Sequence, residues 1–441
     1  MSAIEEVKRT TLLAIPIILG EVVQMALHII DAAMVGAVHY KQLAASSLVF
    51  SIINIPFVFG IGLTIAISQM VSMSKGQYDS PKVSHYFFNG MVISIIASIL
   101  ISVGLYMSSN VVYHLNQDPE VAQLAQPFLK IMALSMIPMI LFIACKQFAD
   151  GLEFTKVAMA ISLAGIPINI FINWLLIFGN WGFPRLELMG AGWGTLITRF
   201  LMLAAILIDI FNSRLFKRYI QVIKRQWYVS MDAIKQLLHL GIPIALQIVL
   251  EASAFAISGI LVGTIDAQSQ AAHQISLSIA SFIYMGTVGL SQACSIRISN
   301  AYGQENTHKI RVIGKSTLVI TVLTGSIFAI ALIVFRNQLP LFFNNSPDVV
   351  QIASWLLVLA ALFQIPDATQ VVAAGALRGI RDVKVPTLLI GGSYWLLGMP
   401  LGILIAFKFD MGASGIWIGF IVALTLVSIN LVSRFLKKTK E

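Results

Sequence analysis

Twelve long apolar stretches constrain this chain more than any other feature of its sequence. Each exceeds the roughly 20 residues that cross a bilayer's hydrocarbon core as an α-helix. The apolar residues run continuously and do not alternate as in a transmembrane β-strand. The sequence therefore predicts an all-α integral membrane protein. The predicted spans are residues 10–36, 43–73, 84–107, 121–146, 158–180, 190–212, 238–263, 269–299, 313–335, 349–375, 386–408 and 412–434.

The chain also repeats itself at one constant offset, which indicates two copies of one structural unit. Matched positions include Ile15-Pro16-Ile17 with Ile242-Pro243-Ile244, Val35-Gly36 with Val262-Gly263, and Gly76-Gln77 with Gly303-Gln304. Each copy holds six spans, so both copies enter the membrane from the same side as two parallel six-helix repeats. Transporters with such halves bind their substrate near the membrane midplane. We predict an N-terminal lobe at 1–212, a basic connector at 213–237 and a C-terminal lobe at 238–441.

Basic residues are distributed unevenly between the loops on the two sides of the membrane. Most lie near the termini, in the connector and in loops of the same side, whereas the opposite loops hold only Lys41, Arg185, Arg336 and Lys408. Cytoplasmic loops are enriched in lysine and arginine. We therefore predict a multi-pass protein of the cytoplasmic (inner) membrane with both termini in the cytoplasm. This topology accounts for the net charge of +9, so no nucleic-acid partner is predicted. We also expect the protein to be a monomer.

Four acidic residues lie inside predicted spans: Glu21, Asp31, Glu251 and Asp367. A carboxylate at a helix centre costs about 2.5–3.5 kcal/mol on insertion scales, so each needs a function or a polar partner. In span one, Glu21, Asp31 and the intervening polar residues Gln24 and His28 share one helical face. That face either lines a cavity or forms a hydrogen-bonded seam between helices.

The second half repeats this arrangement with other residues. The polar residues are Gln247, Glu251 and Ser258 in span seven, and Gln364, Asp367 and Gln370 in span ten. If both spans face one cavity, the two carboxylates share a proton or hold a cation between them. Oxygen ligands suit a hard cation such as Na⁺ better than a transition metal. The alternative is that each is neutralised separately, for example by Lys130 or Arg199.

Span five carries Asn169 and Asn173, which share a helical face at i, i+4 spacing. They either orient Asp31 or make a packing hydrogen bond between helices.

The chain contains no P-loop, no HExxH, no CxxC and no nucleophile elbow. We therefore predict that the protein is not an enzyme and holds no resident cofactor. An ion gradient is the predicted source of energy. Cys145 and Cys294 give no disulfide framework and are predicted to be free thiols.

Several motifs now point to one family. The most specific is the stretch 366–379, PDATQVVAAGALRG. In chain order, the supporting motifs are DAAMVG at 31–36, Asn169 and Asn173-Trp174, MGAG at 189–192, and AAHQ at 271–274. With these motifs the chain resembles the multidrug and toxic compound extrusion (MATE) family, NorM-like branch, over nearly its whole length.

The resemblance implies multidrug efflux and antibiotic resistance by antiport, in which a cationic or amphipathic compound leaves as Na⁺ or H⁺ enters. It implies a cation site at Glu251 and Asp367 that can take Na⁺. It also implies a first-half coupling acid at Asp31, with Asn169 and Asn173 as neighbours. Phe363 departs from the pattern, because some NorM-like members have a tyrosine four residues before the span-ten acid.

Other functions remain open at this point. One alternative is a flippase of lipid-linked precursors, or a substrate-specific exporter, of the same superfamily. A flippase is expected to offer a cationic groove for phosphates, and Lys130 and Arg199 are the basic residues deep in spans. A channel or receptor-like membrane protein is favoured less, because the chain combines an in-phase repeat with buried acids. A membrane enzyme is favoured less still, because the sequence contains no catalytic constellation.

Overall fold

A computed structural model describes residues 3–115, 117–225 and 228–440. Among these residues, 12 helices are long and apolar enough to cross a membrane, which confirms the predicted number. They are α1 (Ala3–Gly36), α2 (Tyr40–Gly76), α3 (Ser80–Met107), α4 (Pro119–Gly151), α5 (Thr155–Phe178), α6 (Leu188–Asn212), α8 (Met231–Gly263), α9 (Ala267–Gly303), α10 (Thr307–Val334), α11 (Pro347–Gly379), α12 (Lys384–Lys408, with π-helical turns) and α13 (Gly412–Lys438). A short helix, α7 (Lys217–Arg225), lies in the basic connector.

Several helices are longer than their predicted spans. Helix α4 was predicted at 121–146 but continues to Gly151, and α11 was predicted at 349–375 but continues to Gly379. Hydropathy marks only the apolar part of a helix. The last turn of α4 contains Asp150, which is polar yet fully buried, so protein packing continues the helix after the apolar stretch has ended.

The repeat extends to the helix caps. Asp79 precedes α3 and accepts a hydrogen bond from the Lys82 backbone N–H at 3.0 Å. Asn306 precedes α10 and accepts one from the Lys309 backbone N–H at 2.9 Å. These side chains satisfy N–H groups that have no partner within the helix. Because Asp79 and Asn306 are equivalent in the repeat, both copies begin this helix by the same local chemistry.

Contacts group the chain into two compact units. The N-terminal unit is Leu19–Ala245, and the C-terminal unit is Met1–Ile18 with Leu246–Glu441. Helices α1 and α8 therefore contribute residues to both. The first turns of α1 belong to the C-terminal unit, although the predicted lobe boundaries place them with the N-terminal part of the chain. Leu13, Ala14 and Ile17 of α1 pack in the hydrophobic core of the C-terminal unit, and buried Glu6 forms an ion pair with Arg297 of α9.

Each unit is built around one central helix. In the N-terminal unit α4 packs against α2, α3 and α6, and in the C-terminal unit α11 packs against α9, α10 and α13. The central helices α4 and α11 are equivalent in the repeat. Cys145 and Cys294 are free, as predicted, and both are buried.

The basic connector packs on the N-terminal unit. Phe216 and Ile220 are buried, and the Ser84 hydroxyl of α3 donates a 2.8 Å hydrogen bond to the Tyr219 carbonyl. Burial also raises the pKa of the Tyr219 phenol. One face of the basic connector is therefore covered by α3.

Glycines allow the central helices to approach their neighbours closely. A Cβ on Gly379 would lie 2.9 Å from the Ser295 carbonyl oxygen, and one on the repeat-equivalent Gly151 would lie 2.8 Å from that of Ser68. We expect Gly379→Ala to lower the free energy of unfolding by about 1–3 kcal/mol through overpacking. Gly392→Ala is the matched control, because a Cβ there meets nothing within 4 Å. Unfolding in mixed micelles, followed by circular dichroism, measures both; equal stability of the two variants would contradict the close approach.

Candidate functional site

The first polar cluster lies in the C-terminal unit around Glu251 of α8, which is 7% exposed. Gln247 donates from Nε2 to Glu251 Oε1 at 3.1 Å, and Gln370 of α11 donates from Nε2 to the same oxygen at 2.9 Å. Tyr394 of α12 donates to Gln370 Oε1 at 3.3 Å. Neutral donors thus hold this carboxylate. Within the described part of its unit no basic side chain forms an ion pair with it, and Arg378 acts on it at longer range.

Asp367 and Gln364 lie one turn apart on α11 and are buried. Glu251 is the charged group that acts on Asp367, which receives no hydrogen bond from the residues described. Neither amide atom of Gln364 has a hydrogen-bond partner in the described ranges. Leaving a buried polar group unsatisfied costs about 1–3 kcal/mol. The oxygens of Glu251, Asp367 and Gln364 are therefore suited to a small cation, and the two carboxylates also to a proton.

Two tyrosines at this cluster were missed by sequence reasoning. Tyr284 of α9 lies near Glu251, and the Tyr394 hydroxyl donates to Gln370 as above. Phe363 packs edge-on against Phe255 and Trp417, with ring centroids 6.0 and 5.7 Å apart. The cluster therefore has phenol groups from α9 and α12, although position 363 lacks one. Many tyrosines in spans serve only for packing, so the positions of Tyr284 and Tyr394 in the sequence do not indicate that they lie at the site.

Ser258 does not join the Glu251 cluster. Its hydroxyl donates to the Phe255 carbonyl at 2.7 Å and lies 3.5 Å from Nε2 of His273. The indole of Trp417 donates to Nδ1 of His273 at 3.1 Å. Because Nδ1 accepts, a neutral imidazole carries its proton on Nε2. Ser258 thus belongs to a separate hydrogen-bonded chain.

The second polar cluster lies in the N-terminal unit around Asp31 of α1, which is 5% exposed. Asn173 of α5 donates from Nδ2 to Asp31 Oδ1 at 2.7 Å and to Asn169 Oδ1 at 3.2 Å. Thr195 of α6 donates to Asp31 Oδ2 at 3.1 Å. The structure thus brings the predicted residues Asp31, Asn169 and Asn173 together. Thr195 was missed, because nothing in its local sequence distinguishes it from other threonines in the spans.

The other polar residues of α1 have different surroundings. Glu21 forms an ion pair with Lys146 of α4 at 2.7 Å, and Lys146 also lies 3.9 Å from Asp150. His28 packs edge-on against Phe50 at 5.2 Å. Gln24 is half-buried and makes no hydrogen bond with the residues described. The predicted polar face of span one is therefore not a single site.

Lys130 and Arg199, the basic residues that the sequence places deep in spans, form no ion pair with the described carboxylates of the N-terminal unit. The ammonium of Lys130 lies over the Tyr106 ring, 5.5 Å from the centroid. Arg199 of α6 donates from Nη1 to Ser135 Oγ of α4 at 2.6 Å. Asp31 is consequently held by an amide and a hydroxyl, and Arg199 acts on it only at longer range.

Comparisons with known proteins agree with this architecture. The MatE family model matches residues 16–175 and 243–404, once in each repeat. The chain is 32% identical to the probable multidrug resistance protein NorM of Mesorhizobium japonicum, covering 99% of this chain and 95% of that protein. It is also 32% identical to the multidrug resistance protein MdtK of Yersinia pseudotuberculosis, covering 98% and 95%. The structure of the eukaryotic MATE transporter AtDTX14 aligns with a TM-score of 0.88 at 22% identity, covering 98% and 95%.

The fold and these matches define a multi-pass membrane protein of the transporter class. The chain belongs to the MatE family of multidrug efflux transporters. The predicted fold class, twelve transmembrane helices in two parallel six-helix repeats, is confirmed. Two of the relatives named above are called multidrug resistance proteins, and the solved structure is that of a MATE transporter.

Proposed function

We propose that this protein is a secondary active antiporter that exports cationic or amphipathic organic compounds in exchange for Na⁺ or H⁺. One observation carries the proposal: buried carboxylates in both units, Glu251, Asp367 and Asp31, are not neutralised by an adjacent basic side chain of their own unit. Ionisable groups inside a membrane mark ion and substrate pathways. The names of the relatives, multidrug resistance proteins, support organic compounds as the cargo.

The contacts support different roles for these residues in the proposed exchange. The amides of Gln247 and Gln370 donate to Glu251 and hold it in one orientation, while Asp367 accepts no hydrogen bond from a described residue and can take a proton or a cation. A cation changes the balance between inward-open and outward-open states only if it binds one state more tightly. Binding at Glu251 and Asp367 therefore has to differ between these states to couple the ion gradient to export.

The distribution of charge supports a particular orientation. The basic connector and the lysines at the end of α13, Lys437 and Lys438, belong to the side that the positive-inside rule assigns to the cytoplasm. We propose that both termini face the cytoplasm in the inner membrane. Export then proceeds outward from the cytoplasmic side.

Transport into or out of proteoliposomes tests the proposal. The full-length protein is reconstituted, ethidium is supplied as a fluorescent organic cation, and a Na⁺ gradient and a pH gradient are imposed separately. We expect at least one of these ion gradients to drive ethidium across the membrane in the direction opposite to the ion. The gradient that drives ethidium identifies the coupling ion. An ionophore that collapses the gradient should stop the movement. Ethidium movement no faster than in protein-free liposomes under both gradients would contradict antiport.

A further inference from the structure

A cavity of about 430 Å³ lies within the N-terminal unit, among helices α1, α2, α4 and α6. This volume is in the range of small-molecule sites. Its polar lining residues are His28, Ser47, Ser51, Asn54 and Arg199, and its larger apolar ones are Phe50, Phe57, Met132 and Met136. The described lining thus contains one guanidinium and no carboxylate.

Arg199 is the unusual member of this lining. It is 7% exposed, and its hydrogen bonds to described residues all come from Nη1, which donates to Ser135. Asp31 accepts from Asn173 and Thr195 and makes no ion pair with Arg199. Nε and Nη2 have no acceptor among the residues that the structure describes. Asp31 acts on this guanidinium only at longer range, and no described carboxylate pairs with it directly, so an anion that enters the cavity gains an adjacent counter-ion there.

We propose that this cavity binds aromatic carboxylates, with Arg199 as the counter-ion of the carboxylate. A guanidinium can donate two parallel hydrogen bonds to a carboxylate. The hydroxyl of Ser47 and the amide of Asn54 are further donors on the α2 wall, whereas the Ser51 hydroxyl already donates to the Ser47 carbonyl at 2.9 Å. Aromatic rings and methionine side chains suit the apolar body of such a ligand. This binding site extends beyond the proposed export of cationic compounds and does not depend on an ion gradient.

The charge of the ligand is tested with a matched pair, 2-naphthoate and the neutral 2-naphthamide. Their binding to the full-length protein in phosphatidylcholine nanodiscs is measured by equilibrium dialysis without a gradient. We expect naphthoate to bind at least tenfold more tightly, and Arg199→Gln to remove this preference. Lys130→Gln removes the α4 charge that lies over the Tyr106 ring of α3, and this variant should keep the preference for naphthoate. Equal binding of the two ligands to the unmodified protein would overturn the proposal.

A second variant covers the case in which Arg199→Gln fails to fold. Asn54→Asp keeps the side-chain shape and gives the cavity its own carboxylate, so we expect it to weaken naphthoate binding about tenfold with Arg199 intact. Unchanged naphthoate binding in folded Asn54→Asp would overturn the proposal.

A lipid phosphate could meet Arg199 by the same chemistry, so the lipid is also varied. Nanodiscs containing one third phosphatidylglycerol should leave the naphthoate affinity unchanged. Loss of binding there would assign the cavity to a lipid headgroup and overturn the proposal. All these readouts are equilibrium binding, so they can succeed or fail independently of the ethidium transport experiment.

Discussion

Replacing Asp367 with asparagine is expected to reduce gradient-driven ethidium export at least about fivefold, because the typical coupling between two ligands changes an affinity by about 5- to 150-fold and this variant loses that coupling. Asparagine keeps the shape of the side chain but has no negative charge and takes no proton near neutral pH. Asp367 is 3% exposed, and the charge of Glu251 acts on it. The negative charge of Asp367 is therefore what a coupling cation would bind. Export is measured in proteoliposomes at equal amounts of inserted protein.

The matched control is Asp348→Asn, the same change on the same helix. Asp348 is exposed in the first turn of α11, far along the helix from Asp367, and should retain full export. A binding measurement separates coupling from folding: Asp367→Asn should still bind ethidium but lose competition by the coupling cation. Export at the unmodified rate by Asp367→Asn would show that the coupling ion does not use this carboxylate.

The fold was accessible from the sequence because its main signals are local or periodic. An apolar stretch longer than 20 residues fixes a helix without knowledge of its neighbours, and the constant offset fixes the equivalence of the halves. Helix caps follow the same logic, since Asp79 and Asn306 act within their own turns. Helix ends were less accessible, because buried polar turns such as that of Asp150 depend on packing with other helices.

The candidate site was only partly accessible. Acids in spans are conspicuous, so Asp31, Glu251 and Asp367 could be selected from the sequence. Their partners depend on how each helix is rotated, which small contacts decide: Gly194 of α6 leaves the space that the Asn173 side chain occupies beside it. A sequence pattern gives the face of one helix and not the face of its neighbour. Thr195 and Tyr284 were missed for this reason.

Glu6→Ala is expected to destabilise the C-terminal unit by about 3–5 kcal/mol, because it leaves the buried guanidinium of Arg297 without its carboxylate. Arg297 is 7% exposed and Glu6 is 2% exposed. Arg297 also donates to the Glu6 carbonyl at 2.7 Å and to the Thr10 hydroxyl. These contacts hold the first turns of α1 against α9. Unfolding in mixed micelles gives the change in free energy.

Glu5→Ala is the matched control at the neighbouring position. Glu5 pairs with Arg9 at 3.0 Å on an exposed face, with side chains 45% and 49% exposed. Exposed pairs at this helical spacing contribute about 0.3–0.5 kcal/mol, so Glu5→Ala should differ little from the unmodified protein. Similar losses for the two variants would mean that burial of the Glu6–Arg297 pair adds nothing to stability.

The repeat supplies the sharper test of this pair. The positions equivalent to Glu6 and Arg297 in the N-terminal unit are Ala233 and Met70, both buried and apolar. Replacing a buried ion pair by apolar residues is often neutral or stabilising, whereas removing one partner is not. The double variant Glu6→Ala with Arg297→Met copies the apolar junction of the other unit. It should therefore recover most of the stability that Glu6→Ala loses. A double variant as unstable as the single one would show that α1 and α9 need the ion pair for their geometry, and not merely the neutralisation of a buried charge.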